Sequence, residues 1–95
     1  MGRWVIEENY HAVHPDGSSS EVSVCISAPY RKENDSYCDV VLTGLRRSGE
    51  TDIQISIGGV DGLQAMELSI GLIKSLLEDA EKNDISIEHM GPDTL

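Results

Sequence analysis

In blocks between Trp4 and Ile57 the apolar residues of this chain recur at every second position, and from Leu63 to Ala80 they recur at every third or fourth. The first period is that of half-buried strands, the second that of an amphipathic helix. Trp4, Ile6, Tyr10 and Ala12 share one parity and predict a long first strand, with Glu8 the one residue out of pattern. Strict alternation makes Glu21–Ala28 the cleanest strand, and Tyr37–Thr43 and Asp52–Ile57 supply two more. Connections this short join antiparallel neighbours, so the strands form a meander. Pro15-Asp16-Gly17 is a turn, because proline presets φ, aspartate bonds its own backbone and glycine accepts a positive φ. Residues 30–36 (YRKENDS) read as a charged, mobile loop, and 44–50, with Arg46, Arg47 and Gly49, as a turn.

Gly58-Gly59 breaks the last strand, Asp61 is suited to cap a helix, and Gln64 completes a capping-box arrangement. The helix is expected over Gly62–Glu81 with Asn83 as its stop. Its core stripe is Leu63, Met66, Ile70, Ile73, Leu77 and Ala80, facing Ile6, Val22, Val24, Ile26, Val40, Leu42, Ile53, Ile55 and Ile57. Leu68, Leu72 and Leu76 form a second ridge, with Ala65 and Ser69 between the two. The apolar sector then spans about 220°, whereas a helix on a single sheet needs about 100° or a little more. Either the first strand or the tail covers that ridge, or Leu68, Leu72 and Leu76 are an interface for a second copy or another protein. The expected fold is α+β, a four-stranded antiparallel meander with one C-terminal helix packed on one face. Residues 1–83 form the single domain and 84–95 an acidic, flexible tail, in which Ile85 and Ile87 suit a short added strand.

Matching the apolar faces sets Val24 opposite Val40 and Ile26 opposite Cys38. Cys38 then points inward and Cys25 outward, so the two stay free thiols, as in cytoplasmic proteins. A catalytic thiol needs a base and an electropositive pocket, and the residues near both lack them. His11 and His14, three apart on a strand, point to opposite faces, and His89 lies in the tail, so no metal site is expected. Gly58-Gly59-Val60-Asp61 resembles a phosphate-cradling turn only faintly, since Asp61 would repel a phosphate. No cofactor or catalytic set follows from the sequence.

Seventeen acidic residues against seven basic ones give 95 residues a net charge of −10. That balance all but excludes holding a nucleic-acid backbone. No apolar run is long enough to span a bilayer, and Met1-Gly2-Arg3-Trp4 lacks the apolar segment of a secretory signal, so a cytoplasmic location is expected. Half the net charge falls in residues 78–95, where Glu78, Asp79, Glu81, Asp84, Glu88 and Asp93 face Lys82 alone. Such a surface either keeps the tail solvated or steers a basic partner.

The stretch Gly58-Gly59-Val60-Asp61-Gly62-Leu63-Gln64-Ala65-Met66-Glu67-Leu68 resembles a family of small uncharacterised bacterial proteins. Their strand-to-helix signature runs Gly-Gly-Val/Ile-Asp-x-x-Gln-Ala-x-x-Leu, and Tyr37, Cys38, Gly44 and Leu45 fall in the family's earlier positions. The resemblance implies a small sheet-plus-helix domain and brings no activity, cofactor or catalytic residue. Acidity, small size and excess apolar helix surface favour a non-enzymatic protein-interaction module, in an immunity-type or adaptor role. The alternative is a small-ligand sensor or minor enzyme on the outer sheet face that carries Glu7, His11, Cys25 and Asp39.

Overall fold

The computed structural model describes residues 4–45 and 52–90. Along them run β1 (Trp4–Val13), β2 (Ser19–Ser27), β3 (Tyr30–Lys32), β4 (Asp35–Thr43), β5 (Ile53–Gly59), α1 (Gly62–Lys82) and β6 (Ser86–His89). The class is α+β, one antiparallel sheet with one helix. The sheet has six strands, not the four that alternation predicts. β3 comes from a segment expected to be a loop, and β6 from the tail, where Ile85 and Ile87 suit a short added strand. Within 30–36, Lys32 pairs with Asp35 across a two-residue turn in which Glu33 takes φ 61°. Within the expected tail, β6 pairs antiparallel with β1 and sets Ile87 opposite Ala12, packed on the core. The Arg46, Arg47 and Gly49 turn and the Gly91-Pro92-Asp93 end of the tail lie outside the described residues.

β2 and β3 lie end to end along one side of β4 and β5 takes the other, so the spatial order is β6, β1, β2 with β3, β4, β5. Val24 pairs with Leu42 and Ile26 with Val40, two positions from the expected register. The two-residue turn fixes this, because a hairpin's register is counted from its turn. One extra residue is absorbed at Ala28-Pro29, where Ser27 Oγ accepts the Asp39 N–H at 2.8 Å and donates to the Ala28 carbonyl. The face assignment survives the shift: Val24, Ile26, Cys38, Val40 and Leu42 are buried together and Cys25 is on the other face. A bulge between Trp4 and Ile6 reverses the parity expected of Trp4, which pairs with Ser27 and joins the outer face.

The helix crosses the inner face from the Gly59 end of β5 to β6. Its buried residues are Ala65, Ser69, Ile73 and Ala80: of the expected stripe Ile73 and Ala80 are buried and Met66 and Leu77 pack against the core, whereas Leu63 and Ile70 are exposed. At 100° per residue, this seat is turned by about 60° from the expected one, toward the seam between the two ridges. Small side chains let the backbones close: a Cβ on Gly59 would stand 2.7 Å from the Ala65 nitrogen. Large apolar residues therefore flank the contact. Leu63 is 83% exposed and Ile70 37% on one flank, and Leu68 is 48% exposed on the other.

Both helix ends are closed. Asp61 Oδ1 accepts the Gln64 N–H at 2.9 Å, and Gln64 Oε1 accepts the Val60 N–H at 2.8 Å. After the C-cap Asn83, Asp84 takes φ 66°, with Asp84 N–H bonded to Glu81 and Ile85 N–H to Ala80. That is a Schellman closure with aspartate where glycine is favoured. Asp84→Gly removes the left-handed penalty and a carboxylate from the negative helix end. It should raise stability by about 0.5–1 kcal/mol, read from urea denaturation.

At the far end of β4, Ser20 Oγ donates to the Gly44 carbonyl at 2.8 Å, so the buried His14 must donate to Ser20 from Nε2, 3.0 Å away. Gly44 holds φ 84°, and a methyl there would meet the Glu21 carbonyl oxygen. Gly44→Ala should cost about 2–4 kcal/mol, measurable as a fall in the urea midpoint without a change in slope.

Candidate functional site

Among the described residues no helix covers the outer face of the sheet, and one group of its polar residues is bonded together around Asp39. Trp4, Ser27, Asp39 and Ser56 fall in one cross-strand row, the β1 bulge having brought Trp4 there. Asp39 Oδ1 accepts the Tyr30 hydroxyl at 2.7 Å and the Ser56 hydroxyl at 2.8 Å. Tyr30 stacks on Tyr37, ring centres 6.1 Å apart, and Tyr37 in turn lies over Gly58. Beside them Trp4, Asp39, Val41, Gln54, Ile55 and Ser56 line an open depression of about 400 Å³. A carboxylate oriented by two hydroxyls next to an indole can receive a hydrogen-bond donor or a cation.

Of the four outer-face residues singled out in the sequence, Glu7 and Cys25 are brought together as a cross-strand pair. His11 is opposite Glu21, six positions along β2 from Ser27 and so about 20 Å from the Asp39 row. The Glu7–Cys25 contact does not build a nucleophile. Burial, then the charge of Glu7, pushes the Cys25 thiol above its ordinary value of 9.0.

The three leucines of the second ridge have three different fates. Leu76 packs against the core, Leu72 is half-buried and Leu68 is exposed. Neither β1 nor β6 folds over Leu68. Gly58 and Gly59 do not break the last strand but are its final paired residues, Gly58 under Tyr37 and Gly59 against Ala65, while Asp61 and Gln64 close the helix start as expected.

Sequence reasoning missed a second cluster. Glu8, out of pattern on the inward parity, bonds through Oε1 to His89 Nε2 at 2.5 Å. Tyr10 meets the His89 ring edge-on, centroids 5.3 Å apart, and burial, with Glu8 beside it, pushes the Tyr10 phenol up. Tyr10, Lys74, Leu77, Glu81, Ile87 and His89 border a groove of about 340 Å³ between the helix and the β1–β6 edge. A carboxylate on an otherwise apolar strand face was the available signal; its partner was hidden because His89 sits in a segment read as tail.

Comparison of the chain with protein-family models, with curated proteins and with solved structures finds no match. Among the described residues, no helix is long and apolar enough to cross a membrane.

Cys38 is fully buried, and burial raises its thiol; the Ser69 hydroxyl pulls the other way and the Asp39 charge raises it again. Both thiols thus hold their protons more tightly folded than unfolded. Their contribution to stability is complete below the unfolded value near 9.0 and is lost as pH rises through the folded value. Urea midpoints should therefore fall as pH rises above 9.0, and less steeply in the Cys25→Ser/Cys38→Ala variant.

Proposed function

We propose that this chain is a non-enzymatic protein-interaction module, of the kind that serves as an adaptor or an immunity-type partner. One observation carries the reading: the helix sits on the sheet through its small residues and leaves Leu63, Leu68 and Ile70 exposed on both flanks. Apolar surface of this kind, rimmed by charge, is what partners cover. The pairing of Glu7 with Cys25 and the distance of His11 from Asp39 weigh against nucleophilic catalysis on the outer face. The likeness to the small bacterial family is, in this reading, a likeness of architecture: its Gly-Gly, Asp and Gln residues build the strand-to-helix corner. Two free thiols fit a cytoplasmic location.

A small-ligand sensor is the second reading, favoured by the depression over Asp39 with its Tyr30 and Ser56 hydroxyls. The two separate by photocrosslinking in cells. A benzophenone side chain in place of Leu68 should give protein adducts, and one in place of Glu33 at the hairpin tip should not. Equal or absent adducts at both positions would remove the interaction reading.

A further inference from the structure

The partner of one surface can be named from the strand beside it. β5, Ile53-Gln54-Ile55-Ser56-Ile57-Gly58-Gly59, pairs with β4 along its whole length, and among the described residues no strand takes its other side. Edge strands are ordinarily protected by charge, proline, a bulge or brevity. β5 has no charged residue, no proline and no register shift against β4. The opposite edge, β6, is four residues long and carries Glu88. On β5 the inward Ile55 is 45% exposed. Lys74, Leu77, Glu78 and Glu81 face the groove at β1 and β6, so the other flank of the helix, with Leu68 and Leu72, faces the β5 side. An unprotected edge and an uncovered apolar flank thus adjoin.

We propose that β5 pairs antiparallel with β5 of a second copy, joining two sheets into one across a twofold axis. The proposal rests on the interaction reading above and supplies its occupant. The strand is complementary to itself. Pairing over its full length centres on Ser56, sets Ile55 against the second copy's Ile57 on the inner face, and sets Gln54 against Gly58 on the outer one. Asp52 then falls beside Val60, so no carboxylate is placed opposite another. In a molecule of net charge −10 this neutral edge is where two copies can meet with least repulsion. Both helices lie on the same face of the joined sheet, with their Leu68 flanks turned toward each other. Self-pairing of this kind is isologous and closes at two copies.

Sedimentation equilibrium of the full chain at about 0.05 and 0.5 M salt tests this, because screening should tighten a dimer of like-charged chains several-fold. Ser56→Lys places two ammonium groups face to face at the axis and should weaken dimerisation at least about tenfold, whereas Leu63→Ser on the other flank should not. Should Ser56→Lys fail to fold by circular dichroism, Ser56→Cys in a Cys25→Ser background gives the same answer. Mild oxidation should link two copies at position 56 and not at a Glu33→Cys control. A wild-type monomer at about 100 μM in both salts overturns the proposal. So does a dimer that neither Ser56→Lys nor the cysteine pair reports. Self-pairing can fail in this way while Leu68 still yields adducts to other proteins; the interaction reading falls only if those adducts are absent too.

Discussion

Everything on the inner face depends on how closely α1 can approach β4 and β5. The approach is set by Gly59, Ala65 and Ser69, none of which projects more than a short side chain into the contact, with Ile73 the one large side chain buried in the seat. Close packing of small groups brings many atoms within dispersion range, and that gain favours the seam over a seat of bulky leucines that would hold the backbones apart. Once the seam is chosen, the rotation of the helix follows, and with it the fate of every large side chain on either flank. Leu76 and Leu77 reach the core, while Leu63 and Leu68 do not. The exposed apolar surface is thus a consequence of good packing elsewhere.

Serines perform a second structural task at the places where regular pairing stops. Ser27 Oγ accepts the Asp39 N–H where the extra residue at Ala28-Pro29 interrupts the ladder. Ser20 satisfies the Gly44 carbonyl at the end of β4, and Ser69 returns its proton to the Ala65 carbonyl one turn back on the buried side of the helix. Ser27 and Ser20 stand in for bonds that the strand ladder does not make there, whereas Ser69 satisfies its own buried hydroxyl within an unbroken helix, as buried polar groups require.

The strands were legible because alternation reports one-sided burial, and β1, β2, β4 and β5 lie within two residues of their expected places. The helix was legible for the same reason, with both caps visible as Asp61 and Asn83. What alternation cannot carry is register and rotation. Register came from a turn at Glu33-Asn34 that lacks a glycine signal, and from extra residues at Val5 and at Ala28-Pro29. Rotation came from shape, since a hydrophobicity pattern ranks Leu63 above Ala65 while packing ranks them the other way. The outer depression is half legible: alternation puts Asp39 on that face, but it puts Trp4 on the other side, because the bulge before Ile6 leaves no mark in the pattern. Glu8 and His89 were invisible as a pair because 81 residues separate them.

That separation has a consequence for how the protein comes to exist. β1 is made well before β6, yet they are neighbours, with Tyr10 opposite His89 and Ala12 opposite Ile87. While the chain is being synthesised, β1 is an open edge with Ala12 and Tyr10 uncovered, and it stays so until the segment after the helix emerges. Closing it requires a loop spanning most of the sequence, the kind of contact that slows folding. The hairpin of β2 to β4 and the α1 seat can form beforehand from nearer neighbours. The sheet is therefore finished at its β1 edge, and the nascent molecule displays for a time an edge that the completed one conceals.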